Sequence, residues 1–145
     1  MATKGKRSIF QDECTIKAIE GVADAAIRPG ALVVQTATGL AESAVAATQF
    51  GEQSLFADYD FLKAGTVDEA WTTGETVVSR ILETNRIACV LVAAGQDITS
   101  KGTPLSSNAD GTLKIAVTPA TVGATSEQVL AYADEIINTG ASVTP

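Results

Sequence analysis

The residues that could carry chemistry in this chain are carboxylates, because the sequence contains no histidine. Without histidine the commonest general base and metal ligand is missing, and the Ser-His-Asp and Cys-His arrangements are excluded. Asp58 and Asp60 flank Tyr59, and on a β-strand their side chains would point to one face. Such a pair could serve a glycosidase, but we interpret it as a solvent-facing row of acids beside a turn.

The other groups of polar residues give no stronger evidence of a catalytic or binding site. Asp68 and Glu69 precede Trp71 in a loop, where a cation could bind, although loop acids are ordinarily solvated. The sequence holds neither a GxGxxG motif nor a Walker A loop, the signatures of nucleotide binding. We therefore predict no catalytic residue, no cofactor and no metal, and expect that the protein is not an enzyme.

The two cysteines, Cys14 and Cys89, are too few for a typical structural zinc site in a chain without histidine. Each lies among apolar or β-branched residues, which indicates small buried hydrophobic side chains. The sequence leaves open whether they pair with each other.

Composition limits the class of protein. The 145 residues fit one domain, and a net charge of −7 with one basic cluster argues against a nucleic-acid partner. No apolar run reaches the roughly 20 residues of a membrane span, and no apolar segment follows the charged start as in a secretory signal. Aromatic residues make up only 5% of the chain, so the core should be thin and aliphatic, as in sheet proteins.

Short apolar runs separated by turn residues predict a mainly β fold, a sandwich or a barrel. Arg28-Pro29-Gly30 and Asp110-Gly111 are turn signals, and Leu113, Ile115 and Val117 alternate along one expected strand face. Residues 86–94 are almost wholly apolar, which predicts a central strand covered on both faces. The other predicted strands are residues 14–19, 31–36, 40–45, 53–59, 76–84 and a short one after 101–105.

Residues 126–137 fit two structures. Thr125 and Ser126 could cap a helix in which Val129, Tyr132 and Ile136 share a face. Residues 128–134 can also form a strand, because a short apolar run fits both structures, and periodicity alone slightly favours the helix.

Two further features concern contacts. We predict an extended N-terminal arm over residues 1–13 and a single β-rich domain over residues 14–145. The basic cluster Lys4, Lys6 and Arg7 lies in this arm with Phe10, and it is either a solvated terminus or a segment that crosses an acidic partner. Trp71 is either a core residue or an exposed anchor for a partner.

Several stretches in order carry a family likeness: Arg28-Pro-Gly-Ala-Leu-Val-Val34, the Ala/Thr-rich residues 36–48, residues 58–65 with 71–77, residues 102–113, and Leu130-Ala-Tyr-Ala-Asp-Glu135. Together they resemble the head decoration, or capsid cement, proteins of tailed bacteriophages. The resemblance spans residues 14–140 and rests on the order of these features.

This resemblance implies a small β-barrel or β-tulip domain without enzymatic activity, and a strand over residues 130–134. It implies a homotrimer in the virion, made in the host cytoplasm, that binds the outer surface of the expanded capsid and clamps neighbouring major capsid protein subunits. No nucleic acid or membrane partner is expected.

On this basis Lys4, Lys6, Arg7 and Phe10 are the candidate capsid or subunit contacts, with Trp71 as a further interface residue. We expect the arm to be disordered in the free protein and ordered on the shell. The alternatives are another virion component, such as a tail-tube or fibre-associated domain, and a carboxylate-dependent hydrolase acting through Asp58 or Asp60.

Overall fold

The structure, a computed structural model, describes residues 18–45, 55–60, 65–82, 87–117 and 126–138. These residues form antiparallel sheets and no helix, which confirms the mainly β prediction. The strands are β1 (Ala18–Val22), β2 (Leu32–Gln35), β3 (Leu40–Glu42), β4 (Leu55–Ala57), β5 (Thr76–Ile81), β6 (Asp97–Ile98), β7 (Pro104–Ser107), β8 (Leu113–Ile115), β9 (Ala131–Tyr132) and β10 (Ile137–Asn138).

The chain divides into two compact units. Unit 1 comprises residues 1–43 and 52–91, and unit 2 comprises residues 44–51 and 92–145. The single domain over residues 14–145 stays a prediction, and the arm over residues 1–13 lies outside the described residues.

Unit 1 contains a five-stranded sheet in the order β1-β5-β4-β2-β3. The predicted turn at Arg28-Pro29-Gly30 leads into β2: the Ala31 N–H donates to the Arg28 carbonyl at 3.0 Å. Gly30 has a φ of 80°, a conformation that costs glycine little and that the third position of a type II turn requires. The turn thereby fixes where β2 begins.

The outer strands of this sheet meet at one point. Ala23, which follows β1, forms a parallel bridge with Leu40, the first residue of β3, and the Asp24 N–H donates to the Leu40 carbonyl at 2.9 Å. A methyl group on Gly39 would lie 2.0 Å from the Val22 carbonyl oxygen. Only glycine lets the two backbones come this close.

Beneath the sheet lies a core of mostly aliphatic side chains, as the low aromatic content predicts. Its buried members are Ala23, Ile27, Val33, Leu40, Leu55, Ala57, Trp71 and Val77.

Unit 2 contains a three-stranded sheet in the order β8-β7-β9 and a two-stranded ribbon of β10 and β6. A hairpin joins β7 to β8, as Asp110-Gly111 predicts. Ala109 and Gly111 adopt φ of 64° and 77° in its turn, and the Asp110 carboxylate accepts a hydrogen bond from the Thr112 N–H at 2.9 Å. The acid thus stabilises the turn.

Two strand predictions require correction. Described residues 87–94 form no strand but only isolated bridges, and they are mostly half-buried rather than covered on both faces. The reason is that the two units divide this run: the Leu91 N–H donates to Gly30 in unit 1, whereas the Ala93 N–H donates to Leu113 in unit 2. Val117, predicted to share a face with buried Leu113, lies beyond β8 and is exposed.

Residues 126–137 contain β9 and the first residue of β10 instead of a helix. The strand implied for residues 130–134 by the family resemblance is therefore present, though shorter. The remaining strand predictions hold with shifted ends, and their residues 14–17, 53–54 and 83–84 lie outside the described part.

Candidate interaction surface

Asp58 and Asp60 follow β4 and do not lie on a strand. Asp58 is 4% exposed, and its carboxylate accepts from the Arg80 Nε at 2.5 Å and from the Tyr59 N–H at 2.9 Å. The interpretation of Asp58 as a solvent-facing acid was wrong, because its charge is paired inside unit 1. Asp60 is half-buried.

Trp71 is a core residue of unit 1, which is the first of the two interpretations that the sequence allowed. The residue is 4% exposed, and its Nε1–H donates to the Asp58 carbonyl at 2.7 Å. Its backbone exchanges two hydrogen bonds with Ile27, at 2.8 and 3.1 Å. A role for Trp71 at an interface stays a prediction, and it would require the ring to leave this core.

The other predicted contact residues, Lys4, Lys6, Arg7 and Phe10, lie outside the described residues, as does Cys14. Cys89 is half-buried in unit 1.

The loop acids Asp68 and Glu69 do not form a cation site with a third ligand. Glu69 instead accepts a hydrogen bond from the Thr66 N–H at 3.1 Å. Throughout the described ranges, no group of three or more potential metal-ligating side chains occurs. The same part of the chain contains no helix with the length and apolar character needed to cross a membrane.

The most exposed large apolar side chains belong to unit 2. Tyr132 is 68% and Ile136 70% exposed, and Val129 is 40% exposed. These three residues flank or belong to β9, and we call them the β9 surface. Clustered exposed apolar side chains are a feature of interaction sites, so the β9 surface is the candidate site of this protein.

Among the described residues β9 pairs with β7 alone, so it is also an edge strand of this sheet. Tyr132 lies opposite Pro104, which has no N–H and whose carbonyl accepts from Ala116 on the other side. Hydrogen bonding alternates in direction along an antiparallel strand, and the Ala133 N–H donates to Thr103 of the β7 side. The N–H and C=O of Tyr132 therefore point away from the sheet.

Glu127 anchors the segment that leads into β9. Its carboxylate accepts from Lys114 Nζ at 2.6 Å, from the Val117 N–H at 2.7 Å and from Ser106 Oγ at 3.0 Å. Burial acts to raise the pKa of Glu127, but the three hydrogen bonds and the Lys114 charge outweigh it, and the pKa is lowered. An ionised Glu127 thus holds residues 126–130 against β7 and β8.

Sequence reasoning missed the β9 surface because Val129, Tyr132 and Ile136 fit a helical period. The useful signal was Leu130-Ala131-Tyr132. A strand with one face in solvent normally alternates apolar and polar residues, and this stretch does not, so one of its apolar side chains must face outward.

No protein-family model matches this chain, and no curated protein matches it.

Proposed function

We propose that this protein is a structural virion component that binds the outer surface of an expanded bacteriophage capsid. In this role it clamps neighbouring major capsid protein subunits, acts as a homotrimer and performs no enzymatic reaction. It is made in the host cytoplasm and ends on the outside of the virion.

The observation that carries the proposal is the β9 surface. Tyr132 and Ile136 are more than two-thirds exposed beside an open strand edge. A protein that works alone gains nothing from such a surface and risks aggregation. A protein that works bound to other chains buries it on assembly, which fits the sequence resemblance to decoration proteins.

The finer fold belongs to the same proposal. We assign unit 1 as the barrel or tulip-like body, because its outer strands β1 and β3 approach each other at the Ala23–Leu40 bridge. The close contact between Gly39 and the Val22 carbonyl supports this assignment. The buried pair of Asp58 and Arg80 supports a structural role for the acid that a hydrolase would need.

A trimer suits capsid binding for a physical reason. Three identical contact sites on one particle face a lattice position of matching symmetry, so each further contact forms at a high effective concentration. Weak single contacts then add up to firm attachment.

Cosedimentation with capsids tests the proposal. Purified protein is mixed with expanded, undecorated capsids of the source phage, and unexpanded shells serve as the control. We expect saturable binding to expanded shells at a fixed, near-stoichiometric ratio to the major capsid protein, and much weaker binding to the control. Absence of binding to expanded shells would overturn the proposal, and a low copy number in purified virions would favour a tail component.

A further inference from the structure

The turn between β7 and β8 contains Asp110-Gly111, the one place in the sequence where a glycine follows an aspartate. The backbone nitrogen that follows an aspartate can attack the carbon of the side-chain carboxyl group. Glycine has no side chain to shield its nitrogen or to restrict the rotation of the backbone, so it permits this approach best. Asp110 is also exposed, and water can therefore reach it.

The Asp110 carboxylate is held by two other side chains of the same turn. Its Oδ1 accepts hydrogen bonds from the Thr112 N–H at 2.9 Å and from the Thr112 hydroxyl, and its Oδ2 accepts from Asn108 Nδ2 at 3.1 Å. The Thr112 hydroxyl in turn accepts from Asn108 Nδ2 at 3.3 Å. Thr112 is 6% exposed, so water competes weakly for its hydroxyl.

The turn needs such contacts because one of its residues has an unfavourable conformation. Ala109 has a φ of 64°, in the left-handed region that residues with a Cβ atom avoid. Its N–H donates to Ser107 Oγ at 3.2 Å. Residues in such conformations persist only where their surroundings hold them in place, so the side-chain contacts of this turn also determine how far Asp110 can move.

We propose that Asp110-Gly111 is a site of isoaspartate formation, and that the Thr112 hydroxyl restrains this reaction in the folded protein. The Gly111 nitrogen forms a bond to Asp110 Cγ, and its proton leaves as water with the hydroxyl group of the protonated carboxyl. A second water molecule opens the resulting five-membered imide. Cleavage at Cγ restores aspartate, whereas cleavage at the former main-chain carbonyl gives isoaspartate, whose main chain runs through Cγ.

The restraint follows from the geometry that the attack requires. The nitrogen and the carboxyl carbon must be aligned at a separation of about 3–3.5 Å, and turning the carboxyl group toward Gly111 gives up its hydrogen bonds to Thr112 and Asn108. Isoaspartate adds one carbon atom to the main chain of the turn and displaces the carboxylate that Thr112 binds. The inference goes beyond the proposed function and does not depend on capsid binding.

Ageing of the purified full-length protein at neutral pH tests the site. Trypsin releases residues 102–114 as one peptide, since Lys101 and Lys114 bound it, and chromatography separates its aspartate and isoaspartate forms, which have equal mass. In guanidinium chloride, where the turn is unfolded, isoaspartate should accumulate about tenfold or more faster than in the folded protein. Equal rates in the two states, or no isoaspartate in the unfolded one, would overturn the proposal.

Substitution of Thr112 tests the restraint. Thr112→Val removes the hydroxyl but keeps the N–H, and the folded variant should form isoaspartate about fivefold faster than the wild type. Thr112→Ser retains a hydroxyl and should stay close to the wild-type rate. A wild-type rate in folded Thr112→Val would show that the hydroxyl restrains nothing.

Thr103→Val is the matched control. The Thr103 hydroxyl also makes a hydrogen bond within unit 2, to the Ser100 carbonyl at 2.7 Å, but at a different turn, so this substitution should leave the rate of isoaspartate formation unchanged. Equal acceleration by Thr112→Val and Thr103→Val would mean that the rate follows the general stability of unit 2, which would contradict the proposal. Each variant is first checked for native circular dichroism, and the comparison of folded with unfolded wild type decides if Thr112→Val fails to fold.

Discussion

Both carboxylate oxygens of Asp58 are engaged inside unit 1, one by the Arg80 side chain and the other by the Tyr59 N–H. The side chain of Asp58 is 6% and that of Arg80 25% exposed. Water therefore competes weakly for the acid, and a hydrogen bond to a charged group at such a position contributes more than one at the surface. Asp58 acts in this structure by joining the end of β4 to β5.

Replacing Asp58 by asparagine should accordingly lower the free energy of unfolding by about 2 kcal/mol. The measurement is urea denaturation followed by circular dichroism. Asp134→Asn is the matched control, because its pair with Lys101 is exposed on both sides, and it should change stability by less than about 0.5 kcal/mol. Equal effects of the two substitutions would show that burial does not strengthen the Asp58 pair.

Glu127 gives the stability of unit 2 a pH dependence whose sign follows from its lowered pKa. Because the folded protein binds a proton at this carboxylate less readily than the unfolded chain does, the ionised form stabilises the fold at pH above the ordinary value of 4.5. That stabilisation disappears as the pH falls through the lower pKa of the folded state.

We expect Glu127→Gln to be less stable than the wild type at neutral pH by about 1 kcal/mol, and this difference to shrink as the pH falls below 4.5. Ser106→Ala removes one of the three hydrogen bonds and so brings the folded-state pKa of Glu127 closer to 4.5, and its acid-induced loss of stability should therefore be smaller, and complete at a higher pH, than in the wild type. Denaturant titrations at several pH values check both. A difference between Glu127→Gln and wild type that is constant over this range would refute the assignment.

At the scale of elements, Gly39 controls how closely β3 approaches β1. Gly39→Ala would place a methyl group 2.0 Å from the Val22 carbonyl, so the Ala23–Leu40 bridge must open or the backbone must shift. We expect a loss of about 2 kcal/mol in unfolding free energy. Hydrogen exchange at the Asp24 amide, which donates to Leu40, should become faster.

Gly74→Ala is the control for this substitution. Gly74 has a φ of 88° with no atom within 4 Å of the added methyl group, so its replacement adds conformational strain of about 1 kcal/mol without a clash. A smaller loss of unfolding free energy for Gly39→Ala than for Gly74→Ala would mean that β1 and β3 can separate at this point without a loss of stability.

The elements also show which parts of the fold the sequence could predict. Local sequence signals predicted the turns correctly. Pro29-Gly30 and Asp110-Gly111 mark turns because few residues other than glycine tolerate a positive φ. The apolar run over residues 86–94 misled, because periodicity does not tell which sheet a backbone will bond to. Leu91 and Ala93 bond to partners in different units, which is a long-range outcome.

The site was less predictable than the fold for the same reason. The exposure of Tyr132 depends on its position at a sheet edge opposite Pro104, a pairing between residues far apart in sequence. From its residue type Asp58 would be expected at the surface. Its structural role comes from the contact with Arg80, which lies 22 positions further along the chain. The basic N-terminal cluster, by contrast, is evident from the order of charges along the chain alone.

At the scale of the whole molecule, neither unit is a continuous stretch of chain. Residues 44–51 belong to unit 2 but connect β3 to β4 of unit 1. Within unit 2, Ser107 Oγ donates to the Val45 carbonyl at 2.7 Å and accepts from the Ala109 N–H at 3.2 Å. Ser107 therefore holds Val45, which lies in the segment that joins two strands of unit 1, by a hydrogen bond.

This connectivity predicts that a substitution in unit 2 also weakens unit 1. Ser107→Ala should lower the unfolding free energy by about 1 kcal/mol, because Ser107 is 1% exposed and its replacement leaves the Val45 carbonyl without that donor. Trp71, the one tryptophan, reports on unit 1, so its fluorescence transition should move to lower urea concentration together with the circular dichroism transition. Ser100→Ala, at an exposed position of unit 2, should move neither transition. A shift in circular dichroism while the Trp71 transition stays in place would mean that the two units unfold independently.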